Sequence, residues 1–310
     1  MTGATGFVGA AVVHELAKRE RHTLVAAVRR PCSIAKCEQV HVVGDLGATV
    51  DWADALAGVS TVIHAAARAH VMRDEAADPL VAYRTINVAG TLNLAEQAIS
   101  AGVRRFIFIS SIKVNGEDMP LGQRYRADDK PAPHDPYGIS KLEAELGLMN
   151  LAAESGLEVV IIRPPLVYGP GVKGNFANMI KLVEKGVPLP LGATQNKRSL
   201  VGVDNLVDLI IRCIDHPDAA NQIFLAGDGE DLSTTELLRS VGDAMGKPAR
   251  LLSVPAGMLQ LGATLLGKKA VAQRLLGSLQ VDISKTCELL DWKPPYTVLE
   301  GLRRCFERSN

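Results

Sequence analysis

Short apolar runs recur through the first half of the chain, each followed by a stretch whose apolar positions repeat at helical spacing. Residues 23–28 (TLVAAV), 40–43, 61–67 (TVIHAAA), 106–109 and 159–162 (VVII) have the length and residue types of buried strands. Val8, Val12 and Leu16 form an apolar stripe that predicts a helix opening just after Gly6. Residues 80–101 read as a long helix, with Leu92, Leu94, Ala95 and Ala98 as core contacts. Asn87 in its middle is a poor helix former, suited to a hydrogen bond across to a neighbouring strand. Residues 115–136 are polar and carry Pro120, Pro131, Pro133 and Pro136, which predicts a loop. A helix over 136–155 follows it.

Strands alternating with helices from residue 2 to about 165 predict an α/β fold, a Rossmann-type doubly wound parallel sheet. Beyond Gly169 the pattern loses this regularity. Helices are expected at 176–186, 204–215, 234–246 and 284–290, with short strands at 198–201 and 223–225. The expected division is a dinucleotide-binding domain over 1–168 plus about 201–216, and a smaller mixed substrate domain over 169–200 and 217–310.

Composition narrows the classes. The formal net charge of zero argues against a general nucleic-acid binder, which would be basic. The longest apolar run, 254–267, is too short to span a bilayer and is broken by glycines. Cys32, Cys37, Cys213, Cys287 and Cys305 match no zinc spacing, so no metal site is expected. Odd in number and without a leader pattern before them, they predict reduced thiols in a cytoplasmic protein.

The chemistry begins at Gly3, Gly6 and Gly9, spaced G-x-x-G-x-x-G. Such a loop brings backbone N–H groups to a pyrophosphate at a helix start, where the dipole favours negative charge. A buried strand should precede it, yet only Met1 and Thr2 do. The expectation is that a first strand lies upstream, and that without it two strands lack a partner between them. Arg29 and Arg30 end the 23–28 strand, where an acid would hold the ribose 2′-hydroxyl of NAD. Arginine there favours NADP(H), with NAD(H) as the alternative. Asp45 after the 40–43 strand would bind an adenine amino group or start a turn. The small residues Ala65, Ala66 and Ala67 let a backbone lie close to a ligand, and His64 reads as a packed histidine. Ser110 and Ser111 end the 106–109 strand, at the sheet edge where such folds bind ligands. Tyr137 and Lys141 lie one helical turn apart. A nearby cation draws a phenol pKa toward the working range, so Tyr137 reads as a proton-transfer group and Lys141 as its tuner.

Thr2 to Gly9, Asp45-Leu46, His64 to Ala67, Asn87 with Gly90-Thr91, Ser110-Ser111, Tyr137/Lys141, Arg163-Pro164 and Tyr168 to Gly171 together resemble the extended short-chain dehydrogenase/reductase family, as do Val281 to Lys285 and Leu290 to Pro294. Within it the chain is similar to the nucleotide-sugar branch, the UDP-glucose 4-epimerase group. It looks closest to 4-ketoreductases that form UDP-N-acetylquinovosamine. The resemblance implies that Phe7, Val8, Leu46 and Pro164 join the glycines, Asp45, the alanines and Asn87 around the cofactor. It implies that Ser111 and Tyr137 hold the sugar C4 oxygen while Lys141 holds the nicotinamide ribose. Asn175 and Arg198 would contact the UDP moiety, with Arg274 as a further phosphate contact. Lys113 and Asn115 stand where relatives commonly carry threonine and tyrosine, and Lys113 would meet a substrate oxygen or point to solvent. The family also implies a homodimer through the helices at 80–101 and 136–155.

The function expected first is reduction of a UDP-4-keto-6-deoxy-N-acetylhexosamine in surface polysaccharide synthesis. The alternative is a UDP-hexose 4-epimerase, acting on UDP-glucose or UDP-GlcNAc. A non-catalytic dinucleotide sensor ranks third, because the chain keeps both Tyr137 and Lys141.

Overall fold

In the first half of the protein the apolar runs form β1 (Val25–Val28), β2 (Gln39–Val42), β3 (Thr61–His64), β4 (Arg105–Ile109) and β5 (Glu158–Arg163). The computed structural model describes residues 1–19, 21–34, 37, 39–69, 78–267 and 269–307, excepting the side chains of 269–271 and 274. The intervening helices are α1 (Phe7–Arg19), α2 (Ala53–Leu56), α3 (Pro79–Tyr83), α4 (Gly90–Ser100) and α5 (Pro136–Ser155). The helix expected over 80–101 is present but interrupted: a π-helical turn, Arg84–Ala89, separates α3 from α4 and contains Asn87.

The second half adds β6 (Leu166–Tyr168), α6 (Gly174–Glu184), β7 (Arg198–Gly202), α7 (Val203–Asp215), β8 (Gln222–Leu225), β9 (Asp231–Leu232) and α8 (Thr234–Met245). Four helices complete it: α9 (Ala256–Leu265), α10 (Lys269–Leu276), α11 (Ser284–Leu290) and α12 (Val298–Arg304).

Strands β3, β4, β5 and β8 pair in that order, all parallel, and β1 pairs in parallel with β2. Residues Met1 and Thr2 join the two groups. Thr2 forms parallel bridges to both Ala27 and His64; its N–H donates to Ile63 O at 3.0 Å, and Ala27 N–H donates to Met1 O at 2.8 Å. The sequence led us to expect β1 and β3 to lack a partner between them. The two residues correct that expectation at the carboxyl end of the sheet, where the glycine turn begins.

Strands β3, β4 and β5 are buried on both faces, as the centre of a parallel sheet requires, whereas β2 at the edge has no buried residue. Along β4 the period of two sends Phe106 and Phe108 to one side, with Leu94, Ala98, Ala144 and Leu148 of α4 and α5. Ile107 and Ile109 face the other side, with Val12 and Leu16 of α1 and Leu206 and Ile210 of α7. A second sheet, in the order β6-β7-β9, packs Tyr168 and Leu200 with Phe176, Leu238 and Leu302. No helix of the described residues is long and apolar enough to cross a membrane.

Candidate active site

Gly3 adopts φ +70°, and a Cβ there would lie 2.7 Å from the backbone of Ala65 and Ala66. A Cβ on Gly9 would lie 1.9 Å from Gly3 O. The turn and the first coil of α1 therefore close on each other and on the end of β3 in a way only glycine permits. Gly6 N–H closes the turn by donating to Gly3 O at 2.9 Å. The first N–H groups of α1, from Phe7 and Val8, have no intrahelical acceptor, which makes this helix start suited to phosphate oxygens. The cradle fits a dinucleotide pyrophosphate. Ala65, Ala66 and Ala67, all half-buried, continue from β3 beside it, and Ala66 N–H donates to Thr2 Oγ1 at 3.3 Å.

His64 is fully buried, hydrogen-bonded to Thr2 Oγ1 at 2.7 Å and to Thr91 Oγ1 at 3.0 Å. Burial pulls its pKa down to about 3, so the ring is a neutral structural link.

Ser111, Tyr137 and Lys141 come together at the carboxyl end of β4 and the start of α5. Asp135 caps that helix by accepting from Gly138 N–H at 2.7 Å, and Pro136 occupies its first turn. Tyr137, half-buried, sits edge-on to Tyr83 with ring centres 6.1 Å apart. The Tyr137 phenol is pushed above its ordinary range, first by burial and then by the Asp135 carboxylate, while a hydrogen bond with Ser111 pulls the other way. Lys141 is buried with Nζ 3.9 Å from the centre of the Phe108 ring. Burial pulls its ammonium down to about 7, and only the Glu145 carboxylate opposes this. Burial thus disfavours the charged form of both side chains, the phenolate of Tyr137 and the ammonium of Lys141.

Asn87 is buried within the π turn. Its Nδ2 donates to Arg68 O at 3.1 Å and to Ser140 Oγ at 3.0 Å, while its Oδ1 accepts from Arg68 N–H at 2.8 Å. The expected link toward a strand end is therefore made, just beyond β3, and it also reaches the helix of Tyr137.

Lys113 makes ion pairs with Asp135 and, at 3.2 Å, with Glu117. It thereby holds the cap of the tyrosine helix. Asn115 is buried, its Oδ1 accepting from Arg163 Nη1 at 3.0 Å and its Nδ2 donating to Arg126 O at 3.0 Å. Behind these lies a polar cluster centred on Glu145, which the sequence reading did not single out. Arg163 forks onto Glu145 at 2.5–3.2 Å, both buried, and Ser110 donates to the same carboxylate. One signal was available: Glu145 lies four residues after Lys141, on the same face of α5.

Arg29 and Asp45 are exposed and face each other, Nε to Oδ1 at 3.6 Å. Arg30 is exposed beside them. Leu46 is half-buried where a Cβ on Gly90 would meet its own at 3.3 Å. Pro164, buried, accepts at its carbonyl from Ile112 N–H at 3.0 Å, tying β5 to the turn after Ser111. Asn175 is exposed at the first turn of α6. Arg198 is half-buried on β7 and donates from Nη1 to Gly277 O at 3.1 Å. Arg274 lies on α10, and its side chain is outside the described residues.

A parallel sheet with a glycine cradle at its carboxyl edge and a Ser–Tyr–Lys set beside it defines a dinucleotide-dependent enzyme of the extended short-chain dehydrogenase/reductase class. More narrowly, the NAD dependent epimerase/dehydratase family matches residues 1–227, and the chain belongs to that family. It is 53% identical over 306 residues to a UDP-glucose 4-epimerase of Vibrio cholerae, an alignment covering 98% of this chain and 93% of the relative. It is 28% identical to the N-acetyl-alpha-D-glucosaminyl-diphospho-ditrans,octacis-undecaprenol 4-epimerase of Escherichia coli O157:H7, over 99% of this chain and 93% of that one. Among solved structures it is similar to MoeE5 in complex with UDP-glucuronic acid and NAD: TM-score 0.75, 26% identity, 97% of this chain and 95% of that one. The UDP-N-acetylglucosamine 4-epimerase from Bacillus cereus shares the fold at TM-score 0.77 and 21% identity, over 98% of this chain and 96% of that one.

Proposed function

We propose that this protein is a UDP-sugar 4-epimerase that works with NAD. The observation that carries the reading is the placement of Tyr137 and Lys141 one turn apart on α5, in a chain 53% identical to a UDP-glucose 4-epimerase. The ketoreductase function expected first from the sequence draws less support than its alternative. The preference for NADP(H) draws none: Arg29 is engaged by Asp45, and the similar solved enzyme holds NAD.

Gly3, Gly6, Gly9 and the start of α1 would cradle the dinucleotide pyrophosphate, with Asp45, Leu46 and the Ala65–Ala67 strand end beside the adenosine half. Bound there, NAD would supply a hydride acceptor and donor for sugar C4 and a cationic ring that would favour the Tyr137 phenolate. Tyr137 removes the 4-hydroxyl proton and later restores it. Ser111 donates a hydrogen bond to the same oxygen as charge develops on it. Lys141 holds a ribose hydroxyl and keeps a positive charge near the phenol. Asn175 and Arg198 bind the UDP end, the guanidinium matching the diphosphate. The domain division expected from the sequence would then place the dinucleotide on the first sheet and the UDP-sugar against the second.

We also infer a homodimer through the helical stretches over 80–101 and 136–155. Val81 on α3 and Leu146 on α5 are exposed apolar residues, and the Arg84–Glu143 ion pair joins the π turn after α3 to α5.

The deciding experiment mixes the full chain with UDP-glucose or UDP-GlcNAc and follows the C4 epimers by chromatography. Conversion without net change in nicotinamide absorbance is expected. Stoichiometric oxidation of NADPH by a UDP-4-keto-6-deoxy sugar, without epimerisation, would replace this reading by the reductase.

A further inference from the structure

Helix α9 buries none of its residues. Met258, Leu261 and Leu265 recur along it at helical spacing and stand in solvent, Leu261 64% and Leu265 79% exposed. Leu252 and Leu266, also exposed, extend the patch at both ends. A surface helix ordinarily turns such a stripe inward, and a patch of this kind marks an interaction site.

The charge of the sequence that flanks it says what it meets. Residues 251–267 contain no charged side chain. From Ala244 to Val281 the chain carries Lys247, Arg250, Lys268, Lys269 and Arg274 but no Asp or Glu, although the whole sequence balances 34 basic against 34 acidic residues. Lys247 and Arg250 are exposed. Two copies meeting through this patch would bring like charges together. A bilayer of anionic lipids satisfies both properties: acyl chains receive the leucines, and lipid phosphates receive exposed basic side chains such as Lys247 and Arg250.

We propose that α9 docks this protein onto an anionic lipid bilayer, lying in the plane of the interface. Ten residues of helix span about 15 Å, half of a hydrocarbon core, so the helix rests on the membrane and does not cross it.

The docking ridge is anchored beside Arg198. Helix α10 follows α9 in sequence and packs against it. At its end, Leu275 O accepts from Thr234 Oγ1 at 2.6 Å and from Asn196 Nδ2 at 3.3 Å. Two residues on, Gly277 O accepts from Arg198. Membrane contact would thus fall on the side of the chain that carries Arg198.

The test is flotation of the full chain with vesicles of phosphatidylglycerol and phosphatidylcholine in equal parts, which needs no catalytic activity and is independent of the epimerase reading. We expect the protein to float with these vesicles. Binding should weaken about tenfold or more on pure phosphatidylcholine or in high salt. The double variant L261S/L265S should bind about tenfold or more weaker, with an unchanged melting temperature because both side chains are already exposed. Failure of the unaltered protein to float overturns the proposal, as does undiminished flotation of the double variant. A dimer in sedimentation equilibrium that L261S/L265S dissociates, without vesicle binding, would assign the patch to a second copy of the chain instead.

Discussion

Replacing Tyr137 by Phe removes one hydroxyl and leaves the ring packed against Tyr83. The expected outcome is a loss of turnover of about 10²–10⁴-fold with little change in KM, read by the epimer assay. Gly9 carries a steric constraint. Gly9→Ala would force a methyl to 1.9 Å from Gly3 O, so the glycine turn must open. We expect about 1–3 kcal/mol lower stability and loss of retained NAD, measured by thermal denaturation and by fluorescence of the reduced nicotinamide. Both positions were legible because their chemistry is local: a glycine spacing, and a pair of side chains one turn apart. The fork between Arg163 and Glu145 was not, because it joins a strand and a helix 18 residues apart and leaves no periodic trace. The upward shift of Tyr137 and the downward shift of Lys141 were not legible for a related reason. Spacing reveals a neighbouring charge, whereas the degree of burial depends on the whole fold.

Among the elements, α5 depends on its first turn. Asp135 accepts from Gly138 N–H and is itself held by Lys113. Burial works against its carboxylate, yet the Lys113 and Gly138 contacts hold the pKa below the usual range. Asp135→Ala should cost about 1 kcal/mol in urea unfolding and lower kcat as Tyr137 loses its fixed position. The strands and long helices were legible because their apolar periods are long and regular. The π turn was not: Arg84–Ala89 widens because Asn87 bonds both Arg68 and Ser140, partners distant in sequence. Helix α9 was missed because all its residues but Gln260 and Thr264 are apolar or small, so no polar face sets off the stripe of Met258, Leu261 and Leu265.

At the scale of the molecule, Met1 and Thr2 join two groups of strands, and Thr2 continues through His64 to Thr91 on α4. His64 has an ordinary pKa of 6.5 and is lowered to about 3 by burial. Its unfolded form therefore takes up the proton first as pH falls. The stability this neutral ring provides is complete above about 6.5 and is lost progressively toward about 3. Urea midpoints should fall across that window, and His64→Gln should flatten the fall. The same scale shows what ties Arg198 to the helix of Tyr137. The loop between Ser111 and Tyr137 is stitched to 278–282: Met119 N–H donates to Ser278 O at 3.0 Å, Tyr125 N–H to Gln280 O at 2.9 Å and Asp282 N–H to Tyr125 O at 2.8 Å. Arg198 bridges to Leu279 in that same segment. Under the proposed function, a diphosphate that tugs on Arg198 would tension the strap on which the tyrosine helix hangs, and grip and chemistry would become two ends of one lever.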